Sequence, residues 1–401
     1  MTSLPTVRLA DVTTRIGSGI TPRGGSMVYR SSGRPFIRSQ NVGWGELRLD
    51  DMAFLDEATH ATFTASEIRA GDVLLNITGA SIGRSAVATR GLDGGNVNQH
   101  VCEIRLKRSM NPHFVCAVLN SRIGQNQIDA FQAGGNRQGL NFQQVGAIEL
   151  PALGVDEQDL VASALVDIDN LTDSLGSMIA KQRDVKQGMM QELLTGRRRI
   201  AGFTDAWPAV SLLALVTVAT GQVDPRLPNF RDLPLIAPDH IESGTGRLLS
   251  VKTAAEQAAI SGKYLVEPGD VIYSKIRPYL RKVHLARFRA LCSADMYPLR
   301  PKRGVDPEFV LNTLLCERFT NFAVSESMRS GIPKINRVEL AAYELVAPSS
   351  REQEAIGKAL HDADALINSL ERRLASAKAI KTGMMQELLT GHTRLPVEAD
   401  L

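Results

Sequence analysis

Two stretches of the chain carry apolar residues at alternating steps of three and four. The first runs through Val161, Ala164, Ile168, Leu171, Leu175, Met178, Gln182, Val185 and Met189. The second runs through Ile356, Ala359, Ala363, Leu366, Leu370, Arg373, Ala377, Ile380 and Met384. Such spacing over four heptads predicts two long helices that pack on each other as a coiled coil. Gln182 and Arg373 would interrupt the seam, and Gly196 and Gly391 are natural stops. About 35 helical residues would span on the order of 50 Å. An ordinary core helix is the plainer alternative, but the paired copies favour mutual packing. Elsewhere short β-branched runs alternate with glycine-rich turns, which reads as mixed α/β. They are VLLNI, VCEIRL and AIELPA in the first half, then VIYSKI and YELVA in the second.

The two helical stretches belong to a duplication. GMMQELLTG occurs at Gly188–Gly196 and again at Gly383–Gly391, an offset of 195 residues, and the ungapped match holds 21 identities over 44 positions. Upstream, Gly71–Ala88 aligns with Gly269–Ala286 at offset 198, and Leu4–Leu9 with Trp207–Leu212 at offset 203. The organisation expected is a first α/β block (1–155), a helix (156–200), a second α/β block (201–350), a second helix (351–395) and a short tail (396–401). The fold class is α+β with a pseudo-twofold internal repeat.

Composition narrows the function. The chain has 401 residues, 43% hydrophobic and 22% charged, with formal net charge +3. That is enough chain for two or three cores. No apolar run is long enough to span a membrane and the first residues lack a signal-peptide core, so a cytoplasmic protein without membrane association is expected. Cys102, Cys116, Cys292 and Cys316 are scattered, which suggests buried thiols rather than a disulfide frame or zinc site.

Catalytic motifs are not apparent. There is no phosphate-binding loop, dinucleotide fingerprint, paired histidine ligand or nucleophile elbow. NPHF (Asn111–Phe114) approaches the N/D-P-P-Y/F motif of adenine methyltransferases. The second proline is missing, however, and the second half reads DPEF at Asp306–Phe309. An N-cap followed by proline at the first helical position explains both strings.

Charge is concentrated locally. Lys263–Arg303 holds ten Lys/Arg against three acids, and Arg23–Arg48 holds five Arg against one. Loops rich in Arg, Asn, Gln and Ser accompany these segments. Arginine and lysine contact phosphates, and arginine, asparagine and glutamine can read base edges. The candidate DNA-contacting residues are Arg23, Arg38, Ser39, Gln40, Asn41, Arg84, Arg137 and Gln138 in the first half. In the second they are Lys275, Arg277, Tyr279, Arg281, Lys282 and Arg329. A solvated basic face is the alternative.

The paired MMQELLTG helix ends, the Glu157-Gln158 and Glu352-Gln353 helix openings and the GDV strands together resemble the specificity subunits of type I restriction–modification systems. SKIRPYLRK (Ser274–Lys282) and TGASIGR (Thr78–Arg84) resemble recognition-domain signatures of that family. The resemblance covers nearly the whole chain. It implies two target recognition domains reading a split, non-palindromic site on double-stranded DNA, and two antiparallel helices acting as a ruler. It also implies docking of two methylation subunits and of restriction/translocase subunits. No cofactor is then expected in this chain; S-adenosylmethionine, ATP and Mg would belong to the partner subunits, and this subunit would be non-catalytic. The competing readings are a self-contained DNA methyltransferase or nuclease, and a coiled-coil scaffold without a DNA role.

Overall fold

A buried glutamate opens each of the two long helices, and its partner lies beyond the end of the other helix. The computed structural model describes residues 4–133, 139–327 and 332–396. The helices span Val155–Leu193 and Ser350–Thr390, and Gly196 and Gly391 beyond them both take φ +70°. The chain divides into two compact units: Met1–Leu175 with Arg373–Leu401, and Gly176–Arg372. Each unit therefore holds the opening half of one long helix and the closing half of the other.

Within the first unit, Arg394 donates from Nε to Glu157 at 2.8 Å, and Lys381 pairs with Asp169. Within the second, Arg199 donates to Glu352 at 2.6 and 2.7 Å, and Lys186 donates to Asp364 at 2.6 Å. All four pairs obey the 195-residue offset. Glu352 is 1% exposed and also accepts from Trp207 Nε1 at 2.9 Å, with the Arg199 guanidinium 5.1 Å from the Trp207 ring centroid. The neighbouring glutamine of each opening is equally committed. Gln158 accepts from the Asn111 amide at 2.9 Å, and Gln353 from the Asp306 amide at 3.2 Å. These are the N-caps of helices Pro112–Asn120 and Pro307–Leu315, where Asn111 and Asp306 accept from amides of the first turn. The NPHF string is thus a helix start.

The helical seam differs from the sequence expectation. Val161, Leu175, Ile356, Leu370 and Ala377 are buried as expected, but the alternate positions are shifted by one. Leu165, Ile179, Lys186, Leu360 and Ile367 are buried, whereas Leu171, Met178, Val185, Leu366 and Ile380 are exposed. Arg373 is exposed rather than within the seam. Leu165, Ile179, Leu360 and Ile367 each follow the apolar residue that the three-four spacing picked, so two neighbours competed for one place. Lys186 and Lys381 join the same inward row by burying or half-burying their stems and ending on aspartates of the opposite helix, which apolar counting misses.

The α/β part of each unit has the same plan. Thr13–Ser18, Val101–Leu106, Val73–Asn76 and Ser85–Val87 form an antiparallel sheet in that order. Val216–Val218, Met296–Pro301, Val271–Ser274 and Val283–Leu285 form its counterpart. A second small sheet in each unit includes a parallel pair, Phe36-Ile37 beside Asn96-Val97 and Leu235-Ile236 beside Leu291-Cys292. Thr6–Arg8 pairs with Glu149–Pro151, and Ala209–Ser211 with Glu344–Val346. All five strand runs read from the sequence contain strands. One main core joins the first sheet to Val161, Leu165, Leu388 and Leu389, and another joins the second sheet to Leu193, Leu194, Ile356 and Leu360. Cys102 and Cys116 are buried, which pushes their thiols up to about 12 and about 11.

The GDV aspartates are structural. Asp72 pairs with Arg105 at 2.7 Å and Asp270 with Arg300 at 2.8 Å. The first unit adds a fully buried Glu103, paired with Arg15 at 3.0 Å and Arg105 at 2.7 Å. Burial, then the Asp72 charge, pushes its carboxyl up to about 7. A raised folded-state value means that the stability from Glu103 is fully present below the ordinary carboxyl range and is lost as pH rises towards 7. Glu103→Gln should abolish a pH-dependent decline on the order of 2–3 kcal/mol across that window. Denaturant unfolding between pH 4.5 and 8 checks this. Arg199→Ala should destabilise the protein by about 3 kcal/mol, because it leaves Glu352 buried without its cation. Adding Glu352→Gln should restore most of the loss, as read by thermal unfolding of both variants.

Candidate nucleic-acid interface

The two family-like loops occupy equivalent places. Residues 77–84 join strands Val73–Asn76 and Ser85–Val87, which pair antiparallel. Residues 275–282 join Val271–Ser274 and Val283–Leu285 in the same way. Each loop is closed by the same bond, Asn76 N to Arg84 O at 2.8 Å and Ser274 N to Lys282 O at 2.9 Å. Each is also bridged on its flank, Thr78 to Gly139 and Ile276 to Lys334. A second loop lies alongside in each unit. Gly45 donates to Ser85 O at 2.9 Å, and Gly244 to Arg281 O at 3.2 Å.

In the second unit the cations of residues 275–282 stand apart from the acids near them in sequence. Asp270 is taken by Arg300 and Glu267 by Arg289. Lys275 sits 5.4 Å from the Tyr297 ring centroid. Lys282 donates to the Ile241 carbonyl. Arg277, Tyr279 and Arg281 are exposed, and among the described residues neither arginine forms an ion pair. The strand ends at Ser274 and the loop projects from it, with Pro278 opening a single 3-10 turn, Pro278–Leu280.

The basic excess of the wider segment is smaller in space than in sequence. Arg287 pairs with Glu308, Arg289 with Glu267 and Arg300 with Asp270.

The first unit differs more sharply. Arg30, Arg34, Arg38 and Arg48 pair with Asp56, Glu57, Asp51 and Glu46. Three of those acids lie just beyond the arginine-rich segment, where counting within it does not see them. Arg38 also donates to the Asp51 carbonyl at 2.6 Å and lies 5.4 Å from the Tyr29 ring centroid. Gln40 donates to Asp51 at 2.7 Å. Asn41 is buried, donates to the Arg48 carbonyl at 2.8 Å and accepts from the Arg38 amide at 3.1 Å. Ser39 accepts through its carbonyl from Asn76 at 2.9 Å. RSQN is therefore built into its own loop.

Arg23 is exposed. Arg84 lies 6.0 Å from the ring centroid of Trp44, itself exposed on the neighbouring loop. Trp44 was not singled out from sequence; a lone tryptophan between two glycines was its only signal. Arg137, Gln138 and Arg329 lie outside the described residues. No group of acids, histidines and cysteines that could hold a metal occurs among the described residues, and no described helix is long and apolar enough to cross a membrane.

These placements separate fold from surface. Asn41→Ala should cost about 1–3 kcal/mol, since it strands buried backbone groups. Arg23→Ala should stay within about 0.5 kcal/mol of the parent. Thermal unfolding of the two variants makes the comparison.

Residues 231–379 match the family model of the type I restriction modification DNA specificity domain. Over 154 residues the chain is 36% identical to the type I restriction enzyme EcoDI specificity subunit of Escherichia coli, covering 38% of this chain and 34% of that protein. Over 269 residues it is 22% identical to the type I restriction enzyme MjaVIII specificity subunit of Methanocaldococcus jannaschii, covering 62% of this chain and 63% of that one. The chain thus spans about a third and just under two thirds of these curated relatives. The crystal structure of a type I restriction–modification system S subunit from M. genitalium superposes with TM-score 0.63 at 13% identity, covering 96% of each chain. A chain from a structure concerned with complex assembly and conformational transition of the type I R-M system gives 0.55 at 17% identity, covering 98% of this chain and 99% of that one. At those identities the structures speak for the fold alone. Residues 231–379 thus carry a type I restriction modification DNA specificity domain, and the whole chain has the fold of the S subunit from M. genitalium.

Proposed function

We propose that the chain is the DNA-reading, non-catalytic subunit of a type I restriction–modification complex, and that each unit reads one half of a bipartite, non-palindromic site on double-stranded DNA. The observation that carries this reading is the repeated hairpin loop: one scaffold, presented twice, with different side chains at its tip. Two readers of different chemistry call for two different half-sites. In the second unit Arg277, Tyr279 and Arg281 are the base-edge candidates and Lys275 and Lys282 the phosphate clamps. In the first unit Arg84 with Trp44, and Arg23, take those roles, because Arg38, Gln40 and Asn41 are engaged within their loop. Arg137, Gln138 and Arg329 remain proposals from sequence.

Methylation subunits, and restriction/translocase subunits with them, are the proposed partners; S-adenosylmethionine, ATP and Mg belong to them in this reading. Exposed apolar side chains on the long helices support docking of methylation subunits. These are Leu171 and Ile380 in the first unit and Met178, Val185 and Leu366 in the second. Apolar side chains left exposed along a helix are surface that a docking partner would cover.

The purified chain should transfer no methyl groups to DNA without a partner. Co-produced with methylation subunits, it should methylate one split sequence. Lys282→Ala should weaken binding to all duplexes and lower the slope of log affinity against log salt by about one unit. Fluorescence titration at two salt concentrations, with methylome sequencing of cells with and without the gene, tests both points. Methyl transfer by the chain alone, or an unchanged methylome, would overturn the reading.

A further inference from the structure

The two recognition loops share a backbone but not a residue choice. At the 198-residue offset Arg277 falls on Gly79 and Arg281 on Gly83. All four are left-handed: φ is +74° and +86° at the glycines, and +48° and +46° at the arginines. Ile82 N donates to Gly79 O at 3.1 Å, and Leu280 N donates to Arg277 O at 2.9 Å, so the turn is the same. Glycine enters this region freely, whereas a residue with a Cβ is strained there, and arginine lacks the short polar side chain that helps asparagine or aspartate.

The strain has no local return. Among the described residues neither guanidinium makes an ion pair or a side-chain hydrogen bond. The surrounding backbone imposes the conformation: Arg277 N donates to Pro333 O at 2.7 Å, Ile335 N to Lys275 O at 2.9 Å, and Gly244 N to Arg281 O at 3.2 Å. Strained residues that are over-determined by their surroundings cluster at binding sites.

We propose that Arg277 and Arg281 are a preset pair of guanine readers, so that the half-site read by the second unit contains guanine where they face it. The inference rests on the DNA-reading function proposed above. A fixed backbone removes part of the ordering cost of binding, and the guanidinium fork matches guanine O6 and N7. The first unit has glycine at both places, so reading by left-handed arginines belongs to one half only.

The test uses the full chain co-produced with its methylation subunits and a library of random-sequence duplexes. The double variants are Arg277→Ala with Arg281→Ala, the corresponding Gly pair and the corresponding Lys pair. The parent should select a bipartite sequence with guanine in one half. The Ala and Gly pairs should both lose that guanine preference, bind the parental duplex about 10- to 100-fold more weakly and keep the other half. The Lys pair should keep the salt slope and show a weakened guanine preference, because an ammonium can reach O6 and N7 but lacks the planar fork. The Gly pair should melt a few degrees above the Ala pair, because only glycine relieves the backbone.

Equal weakening on every duplex with the selected sequence unchanged would make these residues phosphate clamps and overturn the inference while the DNA-reading function stands. Gly and Ala pairs of equal stability would overturn the preset character. A parent complex that selects no bipartite sequence would remove the DNA-reading function itself, and this inference with it.

Discussion

A carboxylate buried at the opening of a long helix can persist only with a cation at hand, and in this protein the cation comes from beyond the end of the other helix. Glu157 depends on Arg394 and Glu352 on Arg199. Within each unit this ties the start of one helix to the close of the other and fixes them antiparallel. Interrupting either pair leaves a charge in a site that cannot solvate it. The adjacent glutamines extend the constraint outwards, since Gln158 and Gln353 hold the N-caps of the helices that pack against each sheet. The glutamates, glutamines and arginines of these contacts are the same residues in both halves of the chain.

The mixed α/β fold, the duplication and the helix starts were legible because they rest on local signals: β-branched runs, Asn or Asp before Pro, and an exact repeated nonapeptide. Half of the helical seam was legible too. Positions one heptad apart, such as Val161, Ile168 and Leu175, were correctly phased. The alternate positions were not, because adjacent apolar residues such as Met178-Ile179 and Leu366-Ile367 fit the spacing almost equally well and a lysine does not register in an apolar count. Leu171 and Val185 face outwards, while Lys186 is inside against Asp364. A lysine is readable as a seam residue only when its aspartate partner across the helix pair is known.

The candidate site shows the same division. Charge counted along the chain ignores acids that folding brings near, so the arginine-rich stretch of the first unit looked freer than it is. Asp51, Asp56 and Glu57 lie only a few residues beyond its last arginine, yet they absorb three of its charges. The cations of residues 275–282 passed through folding without acidic partners because Asp270 and Glu267 were already committed elsewhere. Backbone handedness at Arg277 and Arg281 left no mark in composition. It becomes visible only when a glycine-bearing copy of the same turn lies in the same chain.

The division of the chain sets an order for its assembly. The second unit is contiguous, Gly176–Arg372, and every residue of its core has been synthesised once Arg372 has been added. The first unit draws on Leu388 and Leu389 for its core and on Arg394 for its buried glutamate. Although its sheet is encoded first, it cannot close until Leu388, Leu389 and Arg394 have been added. Its closing contacts join segments more than 200 residues apart, and such long loops make slow folding steps. Of the two units, the one translated first is therefore completed second, and a message cut between Arg372 and Leu388 yields a second unit with its whole core beside an open first sheet.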